Sequence, residues 1–206
     1  MIEELFTNEW LSLKRIVDPE RGVNGYVYSH ETRCSGRIVV ILPFRIIMDD
    51  AGGQIGDGDS YDDNVRIEFL LRNELVPCWS MDYVLSSAIT GGWEVHDDTK
   101  CRDTAVREMW EESGYAVERD KLLHLGTSFS SKSSDTICYY YAIDLICCEQ
   151  TGDAKGDGSV LEANATCRWV NEDDVIASYD PCVHVAYNRF RRWMYETYGS
   201  DSLLES

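Results

Sequence analysis

Basic residues are scarce in this sequence. The 206 residues include 19 Lys and Arg against 37 Asp and Glu, which gives a formal net charge of −18. Because the affinity of proteins for nucleic acids depends on Lys and Arg contacts with phosphates, this balance disfavours long nucleic acids as partners. It does not exclude a small phosphate ligand, since divalent ions and a few arginines can reverse the sign of the charge locally.

Other signals are missing as well. The sequence has no run of about 18 apolar residues, so we expect no membrane-spanning segment. Residues Met1–Leu5 are partly acidic and precede no apolar stretch typical of a secretory signal, so we expect a cytoplasmic protein. The eight cysteines include no CxxC pair, which disfavours a zinc site. Because the chain is large enough to fold without disulfides and shows no export signal, we expect reduced thiols. The Asp- and Gly-rich residues 48–64 lack the spacing of a calcium-binding loop, and we interpret them as a mobile loop.

The hydrophobic pattern predicts a mixture of strands and helices. A helix is expected at 100–113, and three- and four-residue spacing of apolar side chains predicts a second one that begins at Pro181. Residues 6–16 fit either a strand or a short helix. We expect Pro43 at a bend or at a sheet edge. Strands are predicted at 26–28, 37–47, 65–71, 83–90, 122–128, 137–146 and 166–170. This order predicts an α+β fold in which helices cover a mixed β-sheet.

Three carboxylates have the spacing of a single helix face. Glu108, Glu111 and Glu112 stand at positions i, i+3 and i+4 of the predicted central helix, where they repel one another. Such a face is suited to divalent cations, which prefer oxygen ligands, although a solvated acidic face explains the same pattern. Gly114 stands where a left-handed cap would end the helix. Gly91 and Gly92 suit a tight loop that brings backbone carbonyls near the same face.

The segment from Gly92 to Tyr115 resembles the signature of the Nudix hydrolases. The run Arg107-Glu108-Met109-Trp110-Glu111-Glu112-Ser113-Gly114 matches the second half of that signature. The first half departs from it, because Asp98 replaces the first glutamate and eight residues rather than seven separate it from Arg107. Tyr115 also fills a position that is usually aliphatic. Asp98 or the adjacent Thr99 could instead act as a helix cap.

Further segments are similar to one branch of this family, the ADP-ribose pyrophosphatases. They are residues 10–13, 26–28, 37–43, 70–77, 125–126, 130–135 and 139–145. This resemblance implies a Nudix-type α/β/α sandwich with a small N-terminal β extension. We therefore expect an N-terminal extension at residues 1–34 and a Nudix hydrolase domain at residues 35–200. Two departures are that Leu75 replaces a second arginine and that residues 86–90 lack the usual glutamate and proline.

The resemblance also implies roles for the residues of the signature. Glu108 and Glu112 would be the principal ligands of Mg²⁺ or Mn²⁺, with Glu111 and the Gly91 carbonyl as further ligands. Arg107 would hold a glutamate in place by charge-assisted hydrogen bonds, although an ordinary surface salt bridge explains it equally well.

Base and substrate residues are predicted outside the signature. Glu162 is the candidate general base and Glu149 the second choice, although Glu162 could be an ordinary loop residue. Arg72 is a candidate for binding the phosphates. The candidates for stacking on the nucleoside, which could instead pack in the core, are Trp10, Tyr26 and Tyr28. By resemblance, the N-terminal segment would complete the site of a partner in a homodimer.

The implied activity is hydrolysis of the diphosphate bond of a nucleoside diphosphate derivative. ADP-ribose, which would yield AMP and ribose 5-phosphate, is the leading substrate. One alternative is a Nudix hydrolase of another dinucleotide, such as a dinucleoside polyphosphate, NADH or FAD. Another is a Nudix-fold nucleotide sensor without turnover, although all three glutamates of the signature are present.

Overall fold

The computed structural model describes residues 1–48, 65–93, 100–152, 154 and 164–198. Within these ranges the chain forms ten strands and three α-helices. The helices are α1 (Cys101–Ser113), α2 (Glu172–Ile176) and α3 (Pro181–Tyr198). The strands are β1 (Ile2–Thr7), β2 (Leu11–Asp18), β3 (Val23–Glu31), β4 (Arg37–Met48), β5 (Val65–Glu74), β6 (Leu85–Ser87), β7 (Ile89–Gly92), β8 (Leu123–Phe129), β9 (Ile137–Asp144) and β10 (Thr166–Val170).

The first three strands form a sheet of their own. β2 pairs antiparallel with both β1 and β3, so residues 6–16 form the end of β1, a turn at 8–10 and the start of β2, and not a helix. This sheet contacts the segment that precedes β9. The Ser29 amide donates to the Ser133 carbonyl over 2.8 Å, and Nδ1 of His30 lies 2.9 Å from Oδ2 of Asp135. The predicted boundary after residue 34 stays a prediction.

The larger sheet is mixed. Its order is β10-β5-β4-β9-β8, and β4 runs parallel to β9 but antiparallel to β5. β6 and β7 follow each other along the chain and pair with β5 and β4 respectively. The expectation that Pro43 lies at a bend or an edge is wrong, because Pro43 is buried and pairs with Ile143 of β9. The pairing of β4 with β7 ends at Ile41, and its pairing with β5 begins at Phe44. Pro43 lies between these two positions. A residue without a backbone N–H is tolerated at such a change of partner.

Alternate residues of the central strands face two separate hydrophobic layers. On β4, Val39 and Ile41 pack in the cluster that includes Ala105 and Met109 of α1. Val40, Leu42 and Phe44 pack in the other cluster, which includes Val183, Ala186, Phe190 and Met194 of α3. Helices therefore cover both faces of the sheet, which confirms the predicted α+β arrangement. In the described part of the chain, every helix is too short or too polar to cross a membrane.

Candidate active site

Helix α1 carries the three predicted carboxylates. The helix ends at Ser113, and Gly114 follows in the left-handed conformation with a φ of 74°, as predicted. Asp98 and Thr99, the residues considered as helix caps, lie outside the described residues, and Lys100 at the N-cap position makes no side-chain cap. Ala105 and Met109 bury one side of α1 against the sheet. The glutamates occupy the neighbouring side, at the boundary between core and solvent.

Gly91 of β7 lies directly against Glu108. A Cβ atom at Gly91 would be 2.1 Å from Cδ of Glu108, a separation at which atoms overlap. Only glycine therefore allows the strand backbone to approach this carboxylate so closely. Glu108 is buried by this contact, with 10% of its side chain exposed.

Arg107 connects two of the three glutamates. Its Nη2 atom donates to Oε1 of Glu108 over 2.6 Å, and its Nη1 atom donates to Oε2 of Glu111 over 2.9 Å. The guanidinium group therefore neutralises part of the repulsion between carboxylates on one helix face. Arg107 itself is half exposed, whereas Glu108 and Glu111 are more buried.

Arg72 of β5 reaches the third glutamate from the sheet. Its Nη1 atom lies 3.2 Å from Oε2 of Glu112, and its Nε atom donates to Oε2 of Glu74 over 2.9 Å. The hydroxyl of Ser87 donates to the other oxygen of Glu74 over 3.1 Å. Four side chains from three elements thus form one charged network, in which the Arg72 side chain is 2% exposed.

Cys167 of β10 borders the same network. β10 pairs with β5 so that Cys167 is opposite Arg72, and its thiol lies 3.4 Å from the backbone carbonyl of Glu112. Burial raises the pKa of the Cys167 thiol, Arg72 lowers it, and the nearby Glu112 and Glu74 carboxylates raise it, which together bring this pKa to about 12. The thiol is therefore neutral at physiological pH.

The donor set fits a hard divalent cation. The donor atoms of the three glutamates, Glu108, Glu111 and Glu112, are all oxygens. The backbone of β7 contacts Glu108 at Gly91, so the Gly91 carbonyl could supply a further oxygen. Within the described residues, no three His, Cys, Asp or Glu side chains are already gathered as a metal cage. Arg107 contacts Oε1 of Glu108 and Oε2 of Glu111, and Arg72 contacts Oε2 of Glu112, so binding of a cation to all three glutamates would require Arg72 to turn away from Glu112.

The predicted aromatic residues lie in the N-terminal sheet. Trp10 and Tyr26 are 53% and 48% exposed, so the alternative of core packing is wrong for both. The guanidinium of Arg33 lies 5.1 Å from the ring centroid of Trp10, and the hydroxyl of Tyr26 donates to the Lys132 carbonyl. Burial, followed by the charge of Asp135, raises the pKa of Tyr28. These contacts join the aromatic residues to segments 31–33 and 132–135, and their predicted contact with a nucleoside stays a prediction.

The two candidates for a general base differ in what the structure describes. Glu162 lies outside the described residues. Glu149 is exposed and precedes Gln150, whose side-chain amide donates to the Ser113 carbonyl over 3.1 Å. Thr151 also donates from its backbone to the Gly114 carbonyl over 2.9 Å. Glu149 therefore lies on a segment attached to the end of α1.

The sequence did not predict three residues at this site, namely Glu74 and Ser87 of the charged network and Cys167 beside it. For Glu74 a signal existed, because residues i and i+2 of a strand share a face and Glu74 follows Arg72 at that spacing. Ser87 and Cys167 come to the site only through the pairing of β6 and β10 with β5, which their own segments do not reveal.

Comparisons with known proteins support the fold. No protein-family model matches the sequence, and no curated protein matches it. Among solved structures, the chain is similar to one described as the crystal structure of an ADP compounds hydrolase. The TM-score is 0.63 at 13% identity, over 95% of this chain and 92% of that one. It is also similar to a NUDIX hydrolase from Nitrosomonas europaea, with a TM-score of 0.51 at 14% identity, over 77% of this chain and 89% of that one. The chain therefore has the Nudix fold, which confirms the predicted fold class.

Proposed function

We propose that this protein hydrolyses the diphosphate bond of a nucleoside diphosphate derivative with the help of a divalent cation. The observation that carries the proposal is the arrangement of Glu108, Glu111 and Glu112 on one side of α1, with Gly91 packed against Glu108. A merely solvated acidic face would not need a strand glycine in contact with a buried carboxylate. The Nudix fold of the chain agrees with this activity but does not by itself demonstrate it.

The three glutamates and the Gly91 carbonyl are the proposed ligands of Mg²⁺ or Mn²⁺. When bound, the cation would neutralise charge on the diphosphate and lower the pKa of an attacking water. Arg107 would keep Glu108 and Glu111 oriented through its two hydrogen bonds. Arg72 would turn from Glu112 toward the phosphates while Glu74 keeps its Nε atom in place.

A carboxylate outside α1 would accept the proton of the attacking water. The water oxygen forms a bond to one phosphorus atom, the bond between that phosphorus and the bridging oxygen breaks, and the bridging oxygen leaves with the second phosphate. Glu162 is the first candidate for this base and Glu149 the second. Glu149 is supported by its place on the segment attached to the end of α1.

ADP-ribose is the proposed substrate. Two observations support it: the similarity of segments outside the signature to the ADP-ribose pyrophosphatases, and the fold similarity to a protein described as an ADP compounds hydrolase. We further propose a cytoplasmic homodimer that associates through the N-terminal sheet. The exposure of Leu5, Phe6 and Trp10 on that sheet supports a protein partner there.

The test is product analysis after incubation with ADP-ribose and Mg²⁺. We expect AMP and ribose 5-phosphate from the wild type, and a loss of several orders of magnitude in turnover for Glu112→Gln. A matched control is Glu118→Gln, which replaces an exposed glutamate beyond the end of α1. Equal turnover by Glu112→Gln and the control would contradict the metal assignment.

The nature of the substrate is tested separately from the reaction. If ADP-ribose is stable but dinucleoside polyphosphates, NADH or FAD are cleaved, the reaction stands and the substrate assignment is wrong. If none of them is cleaved with Mg²⁺ or Mn²⁺, the protein is better explained as a nucleotide sensor.

A further inference from the structure

An aromatic cleft lies beside the charged network and has no role in the function proposed above. Its volume is about 440 Å³, and Trp79, Tyr83, Leu85, Tyr179 and Pro181 line it. The rings of Trp79, Tyr83 and Tyr179 are 45%, 60% and 79% exposed. Three exposed aromatic rings around one cleft are unusual on a protein surface and indicate a binding site.

Local hydrogen bonds hold one wall of the cleft, the loop between β5 and β6. The amide of Trp79 donates to the Val76 carbonyl over 2.9 Å. The amide of Tyr83 donates to the hydroxyl oxygen of Ser80 over 3.3 Å. Both rings are therefore presented by turns with a defined backbone conformation.

The other wall is the segment between α2 and α3, which is hydrogen-bonded to Ser86 of β6 and to Ala88 just after it. The hydroxyl of Ser178 donates to the Ser86 carbonyl over 3.0 Å, and the Ala88 amide donates to Oδ2 of Asp180 over 2.9 Å. Asp180 is buried and also accepts from the Cys182 amide at the start of α3. Tyr179 stands between these two attachments, so its backbone position relative to β6 is fixed.

β6 connects the cleft to the carboxylates of α1. Leu85, which lines the cleft, is opposite Glu74 in the β5–β6 pair. Ser87, about 7 Å further along the same face of β6, donates to Glu74. Glu74 binds Arg72, which in turn contacts Glu112. The cleft, at Leu85, and the proposed diphosphate site, at Ser87, are therefore neighbours along β6.

We propose that this cleft binds the nucleobase of the substrate, an inference that rests on the proposed function because it extends the same site. A nucleobase is flat and uncharged, and aromatic side chains bind its faces by stacking. In a nucleotide only a ribose separates the base from the phosphates, which agrees with a base site next to the diphosphate site. A peptide or a second copy of this chain would explain exposed rings but not their continuity with Arg72 and Glu112.

The experiment measures binding of AMP by calorimetry, with ribose 5-phosphate as a comparison that lacks the base. We expect wild-type protein to bind AMP, and Trp79→Leu and Tyr179→Ser each to weaken this binding about tenfold or more. Binding of ribose 5-phosphate should be the same in all variants. Tyr195→Ser, which replaces an exposed tyrosine of α3, is the matched control and should bind AMP as the wild type does.

Turnover of ADP-ribose gives a second readout. For Trp79→Leu we expect KM to rise about tenfold while kcat changes little, because the base does not take part in bond cleavage. Unchanged AMP affinity in both cleft variants, or an equal loss of AMP binding in Tyr195→Ser, would overturn the proposal. So would failure of the wild type to bind AMP, GMP, CMP or UMP. AMP binding that depends on Trp79 in a protein without turnover would support the base site while contradicting the proposed hydrolysis.

Discussion

Arg72 and Glu112 form an ion pair between the sheet and helix α1, with 3.2 Å between Nη1 and Oε2 and only 2% of the arginine side chain exposed. Taking both charges out of water is costly, so such a pair adds little to stability compared with apolar residues. Its position is better explained by function, because it keeps a positive charge beside the carboxylates that are proposed to bind a cation. Because the pair is buried, removing one partner leaves an uncompensated charge and strongly destabilises the fold.

Replacing Arg72 by methionine should therefore destabilise the fold. The change leaves the Glu112 and Glu74 carboxylates without their shared buried partner, and we expect a loss of about 3–5 kcal/mol in the free energy of unfolding. Denaturant unfolding measures it. The control is Arg192→Met, which removes an exposed ion pair with Glu196 and should leave the midpoint unchanged. A loss for Arg72→Met as small as that of the control would show that the buried pair does not form.

The candidate general bases can be separated by two matched substitutions. If Glu162 accepts the proton of the attacking water, Glu162→Gln should lower kcat about 10²–10⁴-fold. The concentration of Mg²⁺ that gives half-maximal turnover should not change, since Glu162 is not a proposed ligand. In Glu149→Gln we expect kcat to stay close to that of the wild type. The opposite result, with a slow Glu149→Gln and an unaffected Glu162→Gln, would transfer the role to Glu149.

The thiol of Cys167 should resist alkylation although it lies beside the proposed active site. The thiolate is the reactive form, and burial raises the pKa of Cys167 to about 12. We expect iodoacetamide at pH 8 to modify the exposed Cys78 and Cys147 long before Cys167, as detected by peptide mass spectrometry. Rapid modification of Cys167 in folded protein would contradict the burial described here.

The same shift has a consequence for stability at alkaline pH. The folded state holds the Cys167 proton more tightly than the unfolded state, in which the thiol has its ordinary pKa near 9.0. Unfolding therefore releases this proton more readily, and Cys167 lowers stability as the pH rises from about 9 toward about 12. Cys167→Ala should make the midpoint of denaturant unfolding less sensitive to pH in this range.

Local patterns in the sequence predicted much of the fold. The end of α1 at Gly114, the start of α3 at Pro181 and the bounds of β10 each depend on residues within a few positions, and all three were correct. The predicted carboxylate face also depended only on spacing within one helix. The prediction for Pro43 was wrong because β4 accepts a proline where its pairing changes from β7 to β5. No local pattern in the sequence shows where that change occurs.

The parts of the site that come from different segments were not predictable in this way. The contact of Arg72 with Glu112 joins residues 40 positions apart, and it requires both the pairing within the sheet and the rotation of α1 upon it. The Trp79 and Tyr179 rings line one cleft because hydrogen bonds of Ser178 and Asp180 attach the segment that carries Tyr179 to residues 86 and 88. Tertiary packing, and not the periodicity of either segment, determines both arrangements.

Gly91 offers the most direct test of the carboxylate site. In Gly91→Ala the new methyl group would overlap Cδ of Glu108, which has a backbone strand on one side and Arg107 on the other, so the carboxylate must move. We expect about a 10- to 100-fold increase in the Mg²⁺ concentration that gives half-maximal turnover, as is typical when a group that orients a metal ligand is lost. The control is Gly152→Ala, since a Cβ atom there meets no atom of the described residues within 4 Å. If Gly91→Ala and Gly152→Ala need the same Mg²⁺ concentration, Glu108 is not a ligand. The solvated acidic face would then be the better explanation of the three glutamates.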